Sequence, residues 1–263
     1  MRVETVGDGP AEIAVIGGIH GDEPCGVHAV ETLLSADVEF QRPVKFVIAN
    51  EAARQRDVRY VDEDLNRAFP GNPEGDTHES RLAHELSLEM ADCQILALHS
   101  TQSYGGLFAL VDEVREYERR ICPQLSADAV VETCDFKEGR LFEVTRRLLE
   151  VECGFQGSDT AAENAVQVTR EFLAATGALP GEETPDREEL PVYRLTHSVP
   201  KQSAKAYDVF ASNFQRVQSG QAYATADNRE YVAESDFYPV LMSPYGYEDV
   251  FGYAADRVGT LES

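Results

Sequence analysis

Basic residues are scarce in this sequence. Only 23 lysines and arginines stand against 47 aspartates and glutamates, giving a formal net charge of −24. Recognition of nucleic acids and anionic membranes depends on clustered lysine and arginine, so we expect neither as a partner. The acid-rich composition resembles that of proteins from salt-loving organisms. In those proteins, molar salt shortens the Debye length to about 3 Å and screens the self-repulsion.

Long apolar runs are also missing. No run approaches the roughly 18 residues that a membrane-spanning helix requires. The first ten residues lack the apolar core of a signal peptide. The sequence therefore predicts a cytoplasmic protein.

Paired cysteine motifs are absent as well. The five cysteines are odd in number and never spaced as Cys-x-x-Cys, which argues against a disulfide framework and a thiolate zinc site. At 263 residues and 43% hydrophobic composition, the chain can bury a substantial core. We expect one large domain or two of modest size.

A glycine-rich turn follows the apolar run 13–16. Residues 17–26 read Gly-Gly-Ile-His-Gly-Asp-Glu-Pro-Cys-Gly and contain His20 and Glu23. Glycine permits a sharp turn, and Pro24 suits the first position of a helix. Imidazole and carboxylate are common Zn²⁺ ligands, so we interpret the turn as half of a zinc site. Alternatively, His20 is a polar turn residue and Glu23 interacts electrostatically with the helix N-terminus.

Two later strands deliver polar groups at their carboxyl ends. The apolar run 94–98 ends at His99, and the predicted strand within residues 146–157 carries Glu152 just before a glycine turn. In open α/β sheets this edge is where ligands bind. His99 can complete a His/Glu/His set, since a catalytic zinc site uses three protein ligands. Glu150 lies deeper in the strand and is ranked below Glu152.

A polar loop over residues 61–71 contains Asn66 and Arg67 among turn-forming residues. An amide and a planar guanidinium are suited to bind a substrate carboxylate. The composition is equally compatible with an ordinary solvated loop that binds no substrate.

Four short motifs follow one another within residues 13–157. They are His20-Gly-Asp-Glu23, Asp64-Leu-Asn-Arg67 with Phe69-Pro-Gly71, Leu98-His99-Ser100 and Glu152-Cys-Gly154. In that order they resemble the motifs of the succinylglutamate desuccinylase/aspartoacylase family, which belongs to the zinc-carboxypeptidase-like group. The resemblance implies an α/β fold with a mixed sheet flanked by helices and a smaller C-terminal β domain.

The resemblance also implies the chemistry at the predicted sheet edge. The family binds zinc through the residues that correspond to His20, Glu23 and His99, which implies one Zn²⁺ per chain. The glutamate that acts as general acid and base corresponds to Glu152. An arginine that polarises the scissile carbonyl falls on Arg59.

Substrate-binding residues follow from the same resemblance. Asn66 and Arg67 correspond to the pair that holds the substrate's carboxylate. Asn50 corresponds to an asparagine at the end of the preceding strand.

Two further positions do not align uniquely. An arginine upstream of the catalytic glutamate binds substrate in relatives, and Arg140, Arg146 and Arg147 are all candidates here. A late tyrosine of the family falls on Tyr247 or Tyr245. We favour Tyr247 because an acidic residue follows it.

The last third of the chain contains short strand-like runs separated by polar and glycine turns. Residues 180–186 are rich in turn formers and acids, as linkers often are. We therefore predict a catalytic domain over residues 1–178 and a β-rich domain over residues 186–263. In relatives such a domain caps the active-site mouth.

Together these features predict a zinc-dependent amidohydrolase. Its partner would be a small-molecule N-acyl amino acid resembling N-acetylaspartate or N-succinylglutamate, with a homo-oligomer left open. A metallocarboxypeptidase acting on peptides and a non-catalytic zinc-binding protein are the alternatives.

Overall fold

The structure is a computed structural model that describes residues 1–181 and 189–262. The strands are β1 (Arg2–Val6), β2 (Ile13–Gly17), β3 (Val44–Ile48), β4 (Gln94–Thr101), β5 (Phe108–Val111), β6 (Ala129–Glu132), β7 (Leu148–Phe155), β8 (Leu190–Pro200), β9 (Tyr207–Val209), β10 (Ala222–Ala226), β11 (Arg229–Val232), β12 (Tyr238–Val240) and β13 (Val250–Leu261). The α-helices are α1 (Pro24–Ser35), α2 (Glu51–Arg56), α3 (His78–Met90), α4 (Glu116–Ile121) and α5 (Asp159–Ala175). Short 3₁₀ helices span Leu65–Arg67, Cys122–Gln124, Cys134–Lys137 and Leu141–Glu143.

A mixed sheet organises the molecule. Within the described residues it has ten strands in the order β1-β3-β2-β4-β7-β5-β6-β8-β13-β12. Strands β3, β2, β4 and β7 run parallel to one another, whereas β1 pairs antiparallel with β3 and β5 pairs antiparallel with β7. The carboxyl ends of the four parallel strands therefore lie at one edge of the sheet.

Helices cover both faces of this sheet. Ile13 and Val15 of β2 belong to a core that contains α1 and α5, whereas Ala14 and Ile16 belong to a core that contains α3. Successive side chains of a strand point to opposite faces, which explains the division. The predicted fold class, an α/β mixed sheet flanked by helices, is confirmed.

The last third of the chain contributes to two sheets. Strands β8, β13 and β12 extend the large sheet, because β8 pairs with β6. Strands β9, β10 and β11 form a separate antiparallel sheet over a third apolar cluster. The smaller C-terminal β unit of the predicted fold is this second sheet, while the division into domains 1–178 and 186–263 stays a prediction. Most of the predicted linker over residues 180–186 lies outside the described residues.

Asn50 connects the end of β3 to α2 and α3. Its side chain is fully buried; Oδ1 accepts from Ala53 N–H at 3.1 Å, and Nδ2 donates to Glu79 at 2.9 Å. Both polar ends of the amide are therefore occupied by protein partners. Asn50 caps α2 in this structure.

Glu79 of α3 holds the start of the polar loop. Its buried carboxylate accepts hydrogen bonds from the backbone N–H groups of Val61, Asp62 and Glu63 at 2.7, 3.0 and 3.3 Å. Together with Asn50 these donors satisfy a charge that would otherwise be costly to bury. Glu79 thereby fixes the segment that leads into the Asp-Leu-Asn-Arg motif.

Across residues 1–181 and 189–262, every helix is too short or too polar to cross a membrane.

The first prediction concerns Gly17, where β2 lies close to α1. A Cβ atom added there would lie 2.3 Å from the carbonyl carbon of Gly26. We expect Gly17→Ala to lower the free energy of unfolding by about 1–3 kcal/mol or more, because the backbone of α1 at Gly26 must shift. Chemical denaturation measures the effect. The matched control is Gly259→Ala, where the added Cβ meets no described atom within 4 Å; equal stability of the two variants would contradict this account.

A second prediction concerns pH and Glu79. Burial alone would raise the pKa of this carboxyl, but its hydrogen-bond donors hold the pKa below the ordinary value. On acidification the unfolded chain therefore gains this proton first, and stability falls as the pH drops toward the folded-state pKa. Glu79→Gln should lose roughly 1–3 kcal/mol at neutral pH and then depend less steeply on pH than the wild type.

Denaturation midpoints between about pH 7 and about pH 3 test the slope. Glu85→Gln is the matched control, because Glu85 is an exposed residue of the same helix. We expect it to retain the wild-type pH dependence. If the denaturation midpoints of the wild type and Glu79→Gln changed with pH in parallel, Glu79 would not contribute to the pH dependence of stability.

Candidate active site

Two histidines and a glutamate meet at the carboxyl edge of the large sheet. His20 Nδ1 lies 2.8 Å from Glu23 Oε1, and His99 Nδ1 lies 3.1 Å from Glu23 Oε2. All three residues are buried, and one potential ligand atom from each lies within 4.8 Å of the others. The structure thus brings together the three residues that the sequence predicts as metal ligands.

The local sequence explains how these groups converge. His20 and Glu23 occupy the turn between β2 and α1, where Gly18 has a φ of +68°, a backbone region that favours glycine. Pro24 begins α1, and its fixed φ suits a first helical turn. His99 comes from β4, the parallel neighbour of β2, and therefore reaches the same edge.

Mutual charge effects dominate this cluster. Burial alone would lower the pKa of His20, but the charge of Glu23 and hydrogen bonds with Asp64 and Glu23 raise it to about 9. Burial alone would raise the pKa of Glu23, but His20 and His99 hold it well below its ordinary value. Glu23 is therefore a carboxylate between two imidazoles.

The donor set fits a divalent metal. Two imidazole nitrogens and a carboxylate oxygen suit Zn²⁺, and three protein ligands leave a coordination position open, as in catalytic sites. His99 Nε2 is buried without a hydrogen-bond partner in the part of the chain that the structure describes. Buried polar atoms of this kind are uncommon unless a ligand engages the group. His20, Glu23 and His99 could therefore hold a metal ion.

Asp64 and Arg59 form a charged layer around the cluster. Asp64 Oδ1 lies 3.0 Å from His20 Nε2, while Asp64 Oδ2 accepts from Arg59 at 3.2 Å. Arg59 also donates to Glu23 Oε1 at 3.0 Å. Burial alone would raise the pKa of Asp64, but His20 and Arg59 hold it well below its ordinary value. A carboxylate on the second nitrogen of a ligating histidine fixes the ring's orientation.

Glu152 lies beside His99 across neighbouring strands. The register of β4 and β7 pairs the two residues directly. Glu152 Oε2 is buried and has no hydrogen-bond partner among the described residues. Burial raises the pKa of Glu152 to about 8, and the charges of Glu23 and Glu150 add to the increase, while His99 opposes it. A carboxyl group of this kind can both accept and donate a proton near neutral pH.

The structure separates the three candidate arginines. Arg140 is buried in the cavity wall, where it donates to Glu150 Oε2 at 3.4 Å. Arg146 and Arg147 are exposed and precede β7, at the opposite end of that strand from Glu152. Only Arg140 of the three therefore reaches the site.

Asn66 and Arg67 line the cavity in different ways. Asn66 is buried; its Nδ2 donates to Glu150 at 3.0 Å, and its Oδ1 accepts from Leu141 N–H at 3.2 Å. Arg67 is exposed and donates to the carbonyl oxygen of Asn66 at 2.7 Å. The amide of Asn66 is thus engaged within the protein, whereas most of the guanidinium of Arg67 is available to a ligand.

The late tyrosines also differ in position. Tyr247 lines the cavity, whereas Tyr245 is 61% exposed and its hydroxyl accepts from Tyr207 N–H. The expectation that Asn50 contacts substrate finds no geometric support. Asn50 is absent from the described cavity lining. Its amide instead accepts from Ala53 N–H and donates to Glu79.

Sequence reasoning left several groups of this site unassigned, among them Asp64, Gln156 and Ser243. Asp64 opens the Asp-Leu-Asn-Arg motif, so its signal was available. Gln156 lines the cavity and donates to the Asp22 carbonyl oxygen at 2.9 Å; its place soon after Glu152 is a weak signal. Ser243 enters from the C-terminal third, and no local pattern marks it.

Comparisons with known proteins agree with this geometry. The family model for the succinylglutamate desuccinylase/aspartoacylase catalytic domain matches residues 10–175. An N-acyl-aromatic-L-amino acid amidohydrolase (carboxylate-forming) from Rattus norvegicus is 37% identical over 121 residues, covering 40% of this chain and 37% of the relative. An aspartoacylase from Xenopus tropicalis is 32% identical over 120 residues, covering 40% of this chain and 38% of the relative. Each match spans under two fifths of the relative's own length.

Solved structures share the fold over most of the chain. The product-bound ectoine utilization protein EutE (DoeB) from Ruegeria pomeroyi has a TM-score of 0.78 at 20% identity, covering 96% of this chain and 88% of that one. Murine aminoacylase 3 has a TM-score of 0.76 at 22% identity, covering 96% and 97%. The family match extends over well more than half of the sequence. The chain belongs to the succinylglutamate desuccinylase/aspartoacylase family.

Proposed function

We propose that this protein is a zinc-dependent amidohydrolase that cleaves an N-acyl amino acid into a carboxylate and a free amino acid. The observation that carries the proposal is the position of Glu152 directly beside His99 of the His20/Glu23/His99 cluster. A potential metal site and a proton-transfer group thus share one cavity. The names of the relatives, an amidohydrolase and an aspartoacylase, support the same reaction class.

His20, Glu23 and His99 would hold one Zn²⁺ per chain. When bound, zinc supplies Lewis acidity that polarises a carbonyl group and makes water more acidic. Asp64 keeps the His20 ring oriented through Nε2.

Glu152 moves the proton in this proposal. It accepts a proton from water as the water oxygen adds to the acyl carbon, and it donates that proton to the amine nitrogen as the C–N bond breaks. Burial raises the pKa of Glu152, so the group can hold the proton between the two steps. The buried Oε2 atom, which lacks a described protein partner, is free for this contact.

Arginines supply binding and charge stabilisation. Arg59 would stabilise the negative oxygen that develops from the scissile carbonyl, while its contacts with Glu23 and Asp64 hold it in place. Arg67 would anchor the substrate's carboxylate. Asn66 would position this segment, and Tyr247 would contact substrate from the C-terminal part of the cavity.

Metal content and turnover test the proposal together. We expect elemental analysis to find about one zinc per wild-type chain and much less in His99→Ala, because the variant loses one of three protein ligands. In molar salt, the wild type should hydrolyse at least one member of a panel containing N-acetylaspartate, N-succinylglutamate and neutral N-acetylamino acids.

The alternatives have separate signatures in the same assay. Cleavage of a blocked dipeptide without cleavage of any N-acylamino acid would indicate a metallocarboxypeptidase. Zinc without hydrolysis of any panel member would indicate a binding protein. A wild type without metal would overturn the zinc mechanism.

Glu152→Gln tests the assignment of the proton-transfer group. We expect kcat to fall on the order of 10²–10⁴-fold, because the amide cannot accept the proton, while zinc content is retained. Steady-state kinetics and elemental analysis measure the two effects.

Glu132→Gln is the matched control. Glu132 is also a buried glutamate at the end of a strand, but it pairs with Arg194 away from the described cavity lining. The control should keep wild-type kcat. Substantial turnover by Glu152→Gln would place the general base elsewhere.

A further inference from the structure

Three arginines line the cavity, and two of them are already paired with carboxylates. Arg59 contacts Glu23 at 3.0 Å and Asp64 at 3.2 Å. Arg140 contacts Glu150 at 3.4 Å, and the two side chains are only 5% and 2% exposed. Arg140 Nε has no hydrogen-bond partner among the described residues, but the charge of each of these two arginines is already balanced by an internal carboxylate.

Glu150 is held firmly in this pair. It accepts from Asn66 Nδ2 at 3.0 Å as well as from Arg140. Separating a buried ion pair leaves an uncompensated charge and is strongly unfavourable. Glu150 therefore neutralises Arg140 in place, and a ligand cannot readily displace it.

Arg67 is different. Among the described residues, its side chain donates one hydrogen bond, to the carbonyl oxygen of Asn66, and forms no ion pair with a carboxylate. It is the one arginine of the described cavity lining without a carboxylate in ion-pair contact; its charge acts at longer range on Asp64, whose own ion-pair partner is Arg59. One ligand carboxylate can use this group.

The rest of the wall favours neutral groups. Gln102, Gln156 and Ser243 present amide and hydroxyl groups, while Glu150 and Glu152 add acidic ones. A second carboxylate would lose its hydration here without gaining an unpaired cation, whereas an uncharged amide of the same shape would not pay that electrostatic cost.

We infer that the substrate carries a single carboxylate and a side chain that is not acidic, and that Glu150 sets this preference by neutralising Arg140. The inference rests on the proposed function, which supplies the N-acyl amino acid. Within that class it favours neutral amino acids over aspartate and glutamate.

N-acetyl-L-asparagine and N-acetyl-L-aspartate form a matched pair of probes. They share the amide bond and the α-carboxylate and differ in the charge of one terminal group. Isothermal titration calorimetry on zinc-loaded Glu152→Gln protein measures their binding without turnover. In molar salt the Debye length is about 3 Å, so the acidic outer surface contributes little to the comparison.

We expect the asparagine compound to bind roughly tenfold or more tightly in this parent protein. The measured quantity is the ratio of the two dissociation constants, aspartate compound over asparagine compound. Adding Glu150→Gln frees the charge of Arg140 and should bring this ratio close to one or below it. Adding Glu132→Gln, which disturbs a different arginine pair, should leave the ratio at its parent value.

Arg140→Gln is the second variant if Glu150→Gln fails to fold. It leaves the Glu150 charge uncompensated and should widen the preference for the asparagine compound. Circular dichroism establishes folding of each variant. An unchanged ratio in the folded variant would overturn the role of Glu150.

Equal binding, or tighter binding of the aspartate compound, by the parent protein would overturn the inferred substrate class. Binding of neither compound would overturn it as well. Failure of the proposed function is distinguishable, because it appears as lack of hydrolysis by wild type while the binding ratio is measured independently.

Discussion

The buried carboxylate of Glu23 is the group on which the site depends. It contacts His20, His99 and Arg59, and it accepts the backbone N–H of Ser100. An ionised carboxylate can be buried only when such partners are in place. The β2–α1 turn, the end of β4 and the polar loop must therefore come together to form the centre.

Charge pairing continues outward from this centre. Asp64 links His20 to Arg59, Glu150 links Asn66 to Arg140, and Glu79 binds the backbone at the start of the loop. These contacts position the cavity wall and determine which of its charges are paired. Arg67, by contrast, donates to a backbone carbonyl rather than to an acid.

The C-terminal third completes the cavity while extending the sheet. Strands β8, β13 and β12 continue the large sheet, and the segment between β12 and β13 brings Ser243 and Tyr247 to the cavity. The position of the segment between β12 and β13 is thus fixed by main-chain pairing. Variation in this segment can change the cavity wall without changing His20, Glu23 or His99.

The sequence by itself determined the family, the fold class and the residues that meet at the sheet edge. Those residues lie in short motifs at strand ends, where local patterns indicate both the strand and its terminal side chain. Only the tertiary structure decided that Arg140 reaches the cavity, that Asn50 does not, and that Glu150 neutralises Arg140. These outcomes depend on packing and on competition for hydrogen-bond partners between separate segments, which no local sequence pattern encodes.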